Sequence, residues 1–402
     1  MALPGLRGGK QAEGPLLIFL LGAVSILGPL VIHMFYPATP GVKQTFDVSD
    51  SLVGLTASIP LFVIAIFTLV YGSLSDRYGR RPVLLAGLLL FVLGSALSAA
   101  APSIWTLIGG RFLQAAGAAC GMTLARAIAR DVYGSDRLVK ILSYLLMAYA
   151  LGPMVATPLG GLLADQFGWR SVLVFASAIG LIVTALVFFN IAETREPRET
   201  GTPRTSFLSN CGTLLRDAKF TGYVLQSGFC SGVFFTMLGS SAFLMVEYLG
   251  RPAAEFGLYF LFFPAGYWIG NFISSRLSGR VDIDIMVFAG GAVVLLTAVA
   301  LAALMVGGIV TPLSIFIPGF FITLAQGMAL PNAQAGALQV SHVLAGTASG
   351  IGTFMQFFCA AAFTQLYGLL ADGTPIPMVI TISIAASLSF AAGVVPFLRR
   401  KE

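Results

Sequence analysis

The sequence predicts an all-α membrane protein with twelve transmembrane helices in two six-helix bundles, and three observations lead there. The first is composition: 57% of the 402 residues are hydrophobic and only 10% are charged, far below the roughly 25% charge of soluble domains. The second is segmentation into apolar stretches of about 20 residues, the length that crosses a ~30 Å hydrocarbon core as a helix. Twelve such stretches fall at 16–37, 52–74, 82–101, 105–128, 140–163, 171–191, 221–246, 254–276, 285–306, 312–333, 345–370 and 377–398. The third is the placement of the basic residues between them.

With both termini in the cytoplasm, 18 of the 23 Lys and Arg lie on the cytoplasmic side. Lys43, Arg170 and Arg251 lie outside, and Arg111 and Arg126 fall within the fourth span. This is the asymmetry expected of a multi-pass protein of a plasma membrane. The net charge of +6 then reflects topology and attraction to anionic membrane lipid. Nucleic acid is not an expected partner, because no basic soluble segment interleaved with aromatics exists to bind it.

The first stretch is too long for a signal-peptide core and no small-residue cleavage site follows it, so it reads as a retained first helix. Between the sixth and seventh stretches, residues 193–219 form the one polar segment of any length. Its mixture of Glu, Arg and Pro suits a solvated linker, with a short interfacial helix at 208–219. The expected organisation is an N-terminal six-helix bundle at 1–192, a cytoplasmic linker at 193–219 and a C-terminal six-helix bundle at 220–402. Cys120, Cys211, Cys230 and Cys359 have no paired or metal-like spacing, so reduced thiols are expected.

The turn after the second stretch carries Gly72-Ser73-Leu74-Ser75-Asp76-Arg77-Tyr78-Gly79-Arg80-Arg81. A Gly that permits close helix approach, an Asp that can face a helix N-terminus and clustered Arg on one membrane face together make a charged hinge. The run resembles the loop 2–3 signature of the major facilitator superfamily. Gly270 to Arg280, after the eighth stretch, looks like a degenerate echo of it. Arg111-Phe112-Leu113-Gln114-Ala115-Ala116-Gly117 resembles the second motif of that superfamily, whose Arg lies inside the membrane. Gly152-Pro153-Met154-Val155-Ala156-Thr157-Pro158-Leu159-Gly160-Gly161 resembles the antiporter motif of drug exporters, with Thr157 as a departure before Pro158. Pro331-Asn332-Ala333, Ala345 to Gly350 and Phe35 to Pro40 look like the Bcr/CflA branch of twelve-spanner drug:proton antiporters.

The resemblance implies the major facilitator fold, with a substrate cavity between two halves near the bilayer midplane, and a monomer that exports small molecules by proton antiport. Gating would fall to Gly72, Asp76, Arg77, Gly79, Arg80 and Arg81, with Asp76 capping the eleventh helix where Gly346 and Gly350 allow close approach. A purely topogenic Arg cluster is the alternative. The antiporter motif, through Gly152, Pro153, Pro158, Gly160 and Gly161, would bend and pack tightly enough to resist proton leak; simple helix irregularity is the alternative.

Proton coupling is assigned to His33, Arg111 and Asp131. Arg111 sits about 9 Å from the outer end of its helix and should face the bundle interior, or else snorkel outward as a structural charge. All 17 acids can be placed outside the apolar stretches, and where the Bcr/CflA pattern commonly has an Asp this chain has His33. Its imidazole is the interior side chain whose ordinary titration lies near neutrality; a packed neutral imidazole is the other reading. Asp131 and Glu247 are the next carriers.

Cavity-lining residues are expected to be Tyr36, Gln114, Met122, Met147, Gln226, Phe229, Phe263, Tyr267 and Asn271. A buried Arg without a buried carboxylate favours small lipophilic neutral or zwitterionic substrates over organic cations. No phosphate-binding loop is present, the proton gradient serves as energy source without a cofactor, and His33 and His342 sit in no metal or nucleophile constellation. The chain is therefore not expected to be an enzyme. A facilitator or proton-coupled transporter of an endogenous metabolite is the alternative within transport.

Overall fold

The computed structural model describes residues 14–195, 207–340 and 344–400. Among them twelve helices are long and apolar enough to cross a membrane. In chain order they are α1 (Pro15–Phe46), α2 (Asp50–Tyr78), α3 (Arg80–Ala99), α4 (Ile104–Tyr133), α5 (Lys140–Phe167), α6 (Trp169–Asn190), α7 (Ala218–Tyr248), α8 (Ala253–Leu277), α9 (Ile283–Val306), α10 (Pro312–Val340), α11 (Gly346–Leu370) and α12 (Ile376–Leu398). The C-terminal third of α1 tightens into a 3₁₀ turn at Tyr36–Ala38, where Pro37 and Pro40 remove backbone donors. Helical backbone runs unbroken from Cys120 through Phe167. The linker helix forms at Phe207–Leu215, and its neighbour α7 starts behind Asp217, whose side chain accepts from the Phe220 N–H at 2.8 Å.

The chain divides into two compact units, Met1–Val48 with Val63–Thr202, and Ser49–Phe62 with Pro203–Glu402. In the linker, 196–206 lie outside the described residues, as does His342. The first turns of α2 thus pack with the second unit. The Ser58 hydroxyl donates to Gln365 Oε1 at 2.8 Å, and a Cβ on Gly54 would stand 3.5 Å from the Gly368 Cα.

Within the first unit α1 packs on α4, α5 and α6, while α3 lies between α4 and α6. Lipid offers helices no hydrophobic gain on association, so backbones approach through small residues and van der Waals contact. The α3–α4 seam does this with Gly94 against Gln114 and Gly117 against Phe91, where an added Cβ would collide with main-chain atoms. In the second unit α7 packs on α10, α11 and α12, α9 on α10 and α12, and α8 on α10. There Gly270 and Gly327 let α8 and α10 touch through backbone.

Gly79, between α2 and α3, has φ of 104°, and Gly279, between α8 and α9, has φ of 76°. Both turns use a conformation that side chains resist, a backbone counterpart of the sequence echo. Apolar side chains such as Leu89, Leu93, Leu181, Leu296 and Val299 stand at least half exposed on the spans, as expected for surfaces that meet hydrocarbon. Cys120, Cys230 and Cys359 are buried free thiols.

Replacing Gly117 with Ala should lower the thermal unfolding midpoint by the equivalent of about 1–3 kcal/mol of overpacking. Gly109→Ala, on the same helix with open space around it, should be neutral or stabilising by up to about 1 kcal/mol. A thermal melt of both purified variants checks the contrast.

Candidate functional site

The hinge residues assemble into one charge network at the end of the first unit that carries the α2–α3 turn. Arg80, 7% exposed in its side chain, donates from Nε to Asp131 Oδ2 at 2.9 Å and from Nη1 to Asp76 Oδ1 at 2.7 Å. The same Nη1 reaches the Ser75 hydroxyl at 2.6 Å. One guanidinium therefore ties the end of α2 and the start of α3 to α4. A buried cation held by two carboxylates keeps its charge without the large desolvation loss of an isolated ion.

The α3 N-terminus receives a second carboxylate from an unexpected quarter. Glu193, just beyond α6, accepts from the Arg80 N–H at 2.9 Å and the Arg81 N–H at 3.3 Å. These are the unsatisfied donors of a helix start, and a negative charge there also meets the helix dipole favourably. Gly79 makes room for it, since a Cβ at that position would collide with the Glu193 carboxylate. Arg81 is buried and donates from Nη2 to the Phe188 carbonyl at 2.7 Å, its guanidinium 5.3 Å from the Phe188 ring. Arg195 closes the arrangement, donating to the Arg77 carbonyl at 2.8 Å.

Gly72 has open space around it, Asp76 retains 41% side-chain exposure, and Gly346 is exposed at the start of α11 with no atom in reach of an added Cβ. Gly350 lies one turn further along that helix and is partly buried.

A second polar cluster lies deeper in the first unit. Arg111 is 1% exposed and donates from Nη1 to Gln114 Oε1, and Gln114 Nε2 donates to the Ser95 hydroxyl at 2.7 Å. The guanidinium carbon stands 4.2 Å from the centroid of Phe35. In a dry environment such a cation–π contact contributes about 2 kcal/mol. Tyr36 lies beside it, and His33 is buried in the turn of α1 just before the 3₁₀ segment. The structure thus brings together Arg111, Gln114 and Tyr36, with His33 one turn away.

The antiporter-motif segment of α5 meets this turn. A Cβ on Gly160 would collide with the Met34 carbonyl, and one on Gly152 would press on Pro29 at 3.1 Å. Thr157, the departure from the motif, is buried and donates its hydroxyl to the Pro153 carbonyl at 3.2 Å. Pro153 and Pro158 sit inside the helix and Gly161 is buried.

The remaining expected cavity residues are dispersed. Met122 is partly buried, whereas Met147 is largely exposed on α5. Gln226 is fully buried on α7 against α12, where the Ser389 hydroxyl donates to its carbonyl at 3.2 Å. Phe263 is buried in an aromatic cluster with Phe260 and Phe316, each 5.3 Å away. Phe229 packs edge-on to Phe363 at 6.0 Å, and Asn271 donates to the Tyr267 carbonyl one turn back on α8.

Sequence reasoning passed over a buried carboxylate in the second unit. Asp284, 2% exposed in its side chain, pairs with Lys219 Nζ at 2.8 Å and accepts from the Tyr223 hydroxyl. It stands in the first turn of α9, where Asp282 Oδ1 accepts from its backbone N–H at 2.9 Å. Asp282 and Asp284 both lie outside the apolar stretches in the sequence, and nothing in the string of letters separates the one that turns inward.

Comparison with known proteins adds family to geometry. The profile described as Major Facilitator Superfamily matches residues 19–364. An uncharacterized MFS-type transporter of Bacillus subtilis is 32% identical over 385 residues, covering 93% of this chain and 94% of the relative. A bicyclomycin resistance protein homolog of Haemophilus influenzae is 27% identical over 95% of this chain and 96% of its own length. Multidrug resistance protein D of Escherichia coli is 27% identical over 90% of each. Among solved structures, a bacterial homolog of the human lysosomal transporter Spinster superposes with a TM-score of 0.78, at 16% identity, covering 96% of this chain and 99% of that one.

Arg80→Ala should destabilise the protein by roughly 2–4 kcal/mol, because Asp131 is left with a desolvated charge. Adding Asp131→Asn to it should recover more than half of the loss, and strictly additive losses in a thermal double-mutant cycle would contradict the pairing. Glu193→Ala should cost about 1 kcal/mol through the lost cap.

Proposed function

This chain belongs to the major facilitator superfamily, and on that premise we propose that it exports small lipophilic compounds in exchange for protons by alternating access. The superfamily consists of transporters and not enzymes, and the chain is a multi-pass membrane protein. The observation that carries the finer reading is similarity along at least nine-tenths of the chain to proteins named for bicyclomycin and multidrug resistance. The asymmetry of its basic residues favours an inner membrane with both termini in the cytoplasm, and a monomer is sufficient for the mechanism.

In this reading the proton gradient supplies the energy and His33 accepts the proton in the turn beside Arg111. A proton on Asp131 would remove the charge that Arg80 pairs with and loosen the tie between the α2–α3 turn and α4. Asp76, on the same guanidinium, then acts in gating rather than in binding. Substrate chemistry follows from charge: Arg111 is buried, while Asp131 and Asp284 are each engaged by a cation. A desolvated positive charge disfavours cations, so neutral or zwitterionic lipophiles fit best.

His33 in place of the Asp common in the Bcr/CflA pattern favours one second reading, a facilitator or proton-coupled transporter of an endogenous metabolite. The two readings separate in one assay. Export of neutral and cationic antibiotics or dyes from proteoliposomes should collapse with a protonophore, and His33→Ala should lose gradient-driven export while retaining substrate binding. Export indifferent to the gradient would establish a facilitator instead. Asp76→Asn should lower turnover more than apparent affinity, and equal losses in both would count against gating.

A further inference from the structure

A cleft of about 370 Å³ lies between α2 and α3 next to the charged turn. Tyr71, Leu74 and Tyr78 form one wall, and Pro82, Val83 and Leu90 contribute to the other. Apart from the two phenols the lining is hydrocarbon. Leu74 and Tyr78 are 37% and 57% exposed, so the cleft opens outward from the unit. On α3 it borders a stripe formed by Ala86, Leu89, Leu93 and Leu97, all exposed and all apolar. An exposed apolar stripe on a membrane-length helix faces lipid, so the cleft opens onto the bilayer.

The mouth of this cleft is cationic. The Arg77 guanidinium stands 5.2 Å from the centroid of Tyr78, which lines the opening. Arg195 donates to the Arg77 carbonyl at 2.8 Å, bringing a second guanidinium to the same edge. Both side chains are exposed, whereas Arg80 and Arg81 are buried and committed to Asp76, Asp131 and the Phe188 carbonyl. Two accessible guanidinium groups above an apolar slot open to hydrocarbon match one class of molecule in charge and in shape.

We propose that this cleft binds an anionic phospholipid, its phosphate held by Arg77 and Arg195 and a segment of one acyl chain laid between α2 and α3. Guanidinium pairs suit phosphate oxygens geometrically as well as electrostatically, and basic pockets between membrane helices recognise anionic headgroups. The volume is near the lower end for small-molecule sites, enough for part of a chain. Because Arg77 and Tyr78 adjoin Asp76 and Arg80, the bound lipid would brace the turn from which the charge network hangs. The inference rests on the membrane placement of α2 and α3 and not on proton antiport.

Full-length protein in detergent is titrated with phosphatidylglycerol or phosphatidylcholine of identical chains, reading the thermal midpoint and adduct retention by native mass spectrometry. Phosphatidylglycerol should be retained preferentially, and Arg77→Gln with Arg195→Gln should weaken it about tenfold. Ala86→Trp, which fills the apolar wall, should reduce retention of both lipids, while glycerol phosphate without a chain should give no stabilisation. Equal behaviour of the two lipids, or a preference unchanged in the double Gln variant, would overturn the proposal. Displacement of the lipid by an exported dye would also overturn it, by making the cleft a substrate site. Should the variants fail to fold, photoreactive phosphatidylglycerol on the unaltered protein decides: labelling at 71–90 supports the site, and labelling confined elsewhere excludes it.

Discussion

A charge that leaves water must find its opposite within reach or lose several kcal/mol, and the first unit is arranged around the guanidinium that meets this demand. Arg80 spends its donors on Asp76, Ser75 and Asp131, so three helices converge on one side chain. The Glu193 carboxylate then fixes the backbone from which that side chain projects. Neither interaction works alone: without the cap α3 begins with open donors, and without Arg80 two acids stand near one another with no cation between them. The positive φ of Gly79 makes both possible, because a Cβ there would occupy the carboxylate's place.

The rest of the fold obeys the complementary rule for uncharged surfaces. Helices in hydrocarbon gain little by burying apolar side chains against each other, so they gain by approaching closely. The glycine contacts of α3 with α4, α5 with α1 and α8 with α10 are where this happens. At the α5–α1 contact the close approach serves position as well as packing. Gly160 seats α5 on the backbone of Met34, between His33 and Phe35, the aromatic ring that covers Arg111. Rigid helix contact, rather than a long side-chain network, holds that buried cation's neighbourhood in place.

Legibility in the sequence followed the length scale of the signal. Twelve apolar runs, the charged turn and the intramembrane Arg are local features, and each falls in the structure on the helix its run implied. Pairings across distance were not readable. Glu193 belonged to a stretch that read as solvated linker, yet it caps a helix 113 positions away in the chain. Asp284 fell outside the apolar stretches like every other acid, and only the approach of α7 with Lys219 and Tyr223 turns it inward. The opening turns of α2 belonged to the first half by order along the chain, but they pack with the second unit through Ser58 and Gln365.

By itself, then, the sequence determined the solvent, the number of spans and the kind of protein, because hydrophobic length and charge placement act on each helix separately. It also marked Arg111 as a charge costly enough inside the membrane to need an interior partner, and Asp76, Arg80 and Arg81 as a charged hinge. Tertiary structure alone decided which partner each would meet, which glycine would admit a backbone and which apolar wall would be left open as a cleft. These are properties of helices already packed, where a shift of a few ångströms exchanges one partner for another, and nothing in the order of residues along a single helix encodes that distance.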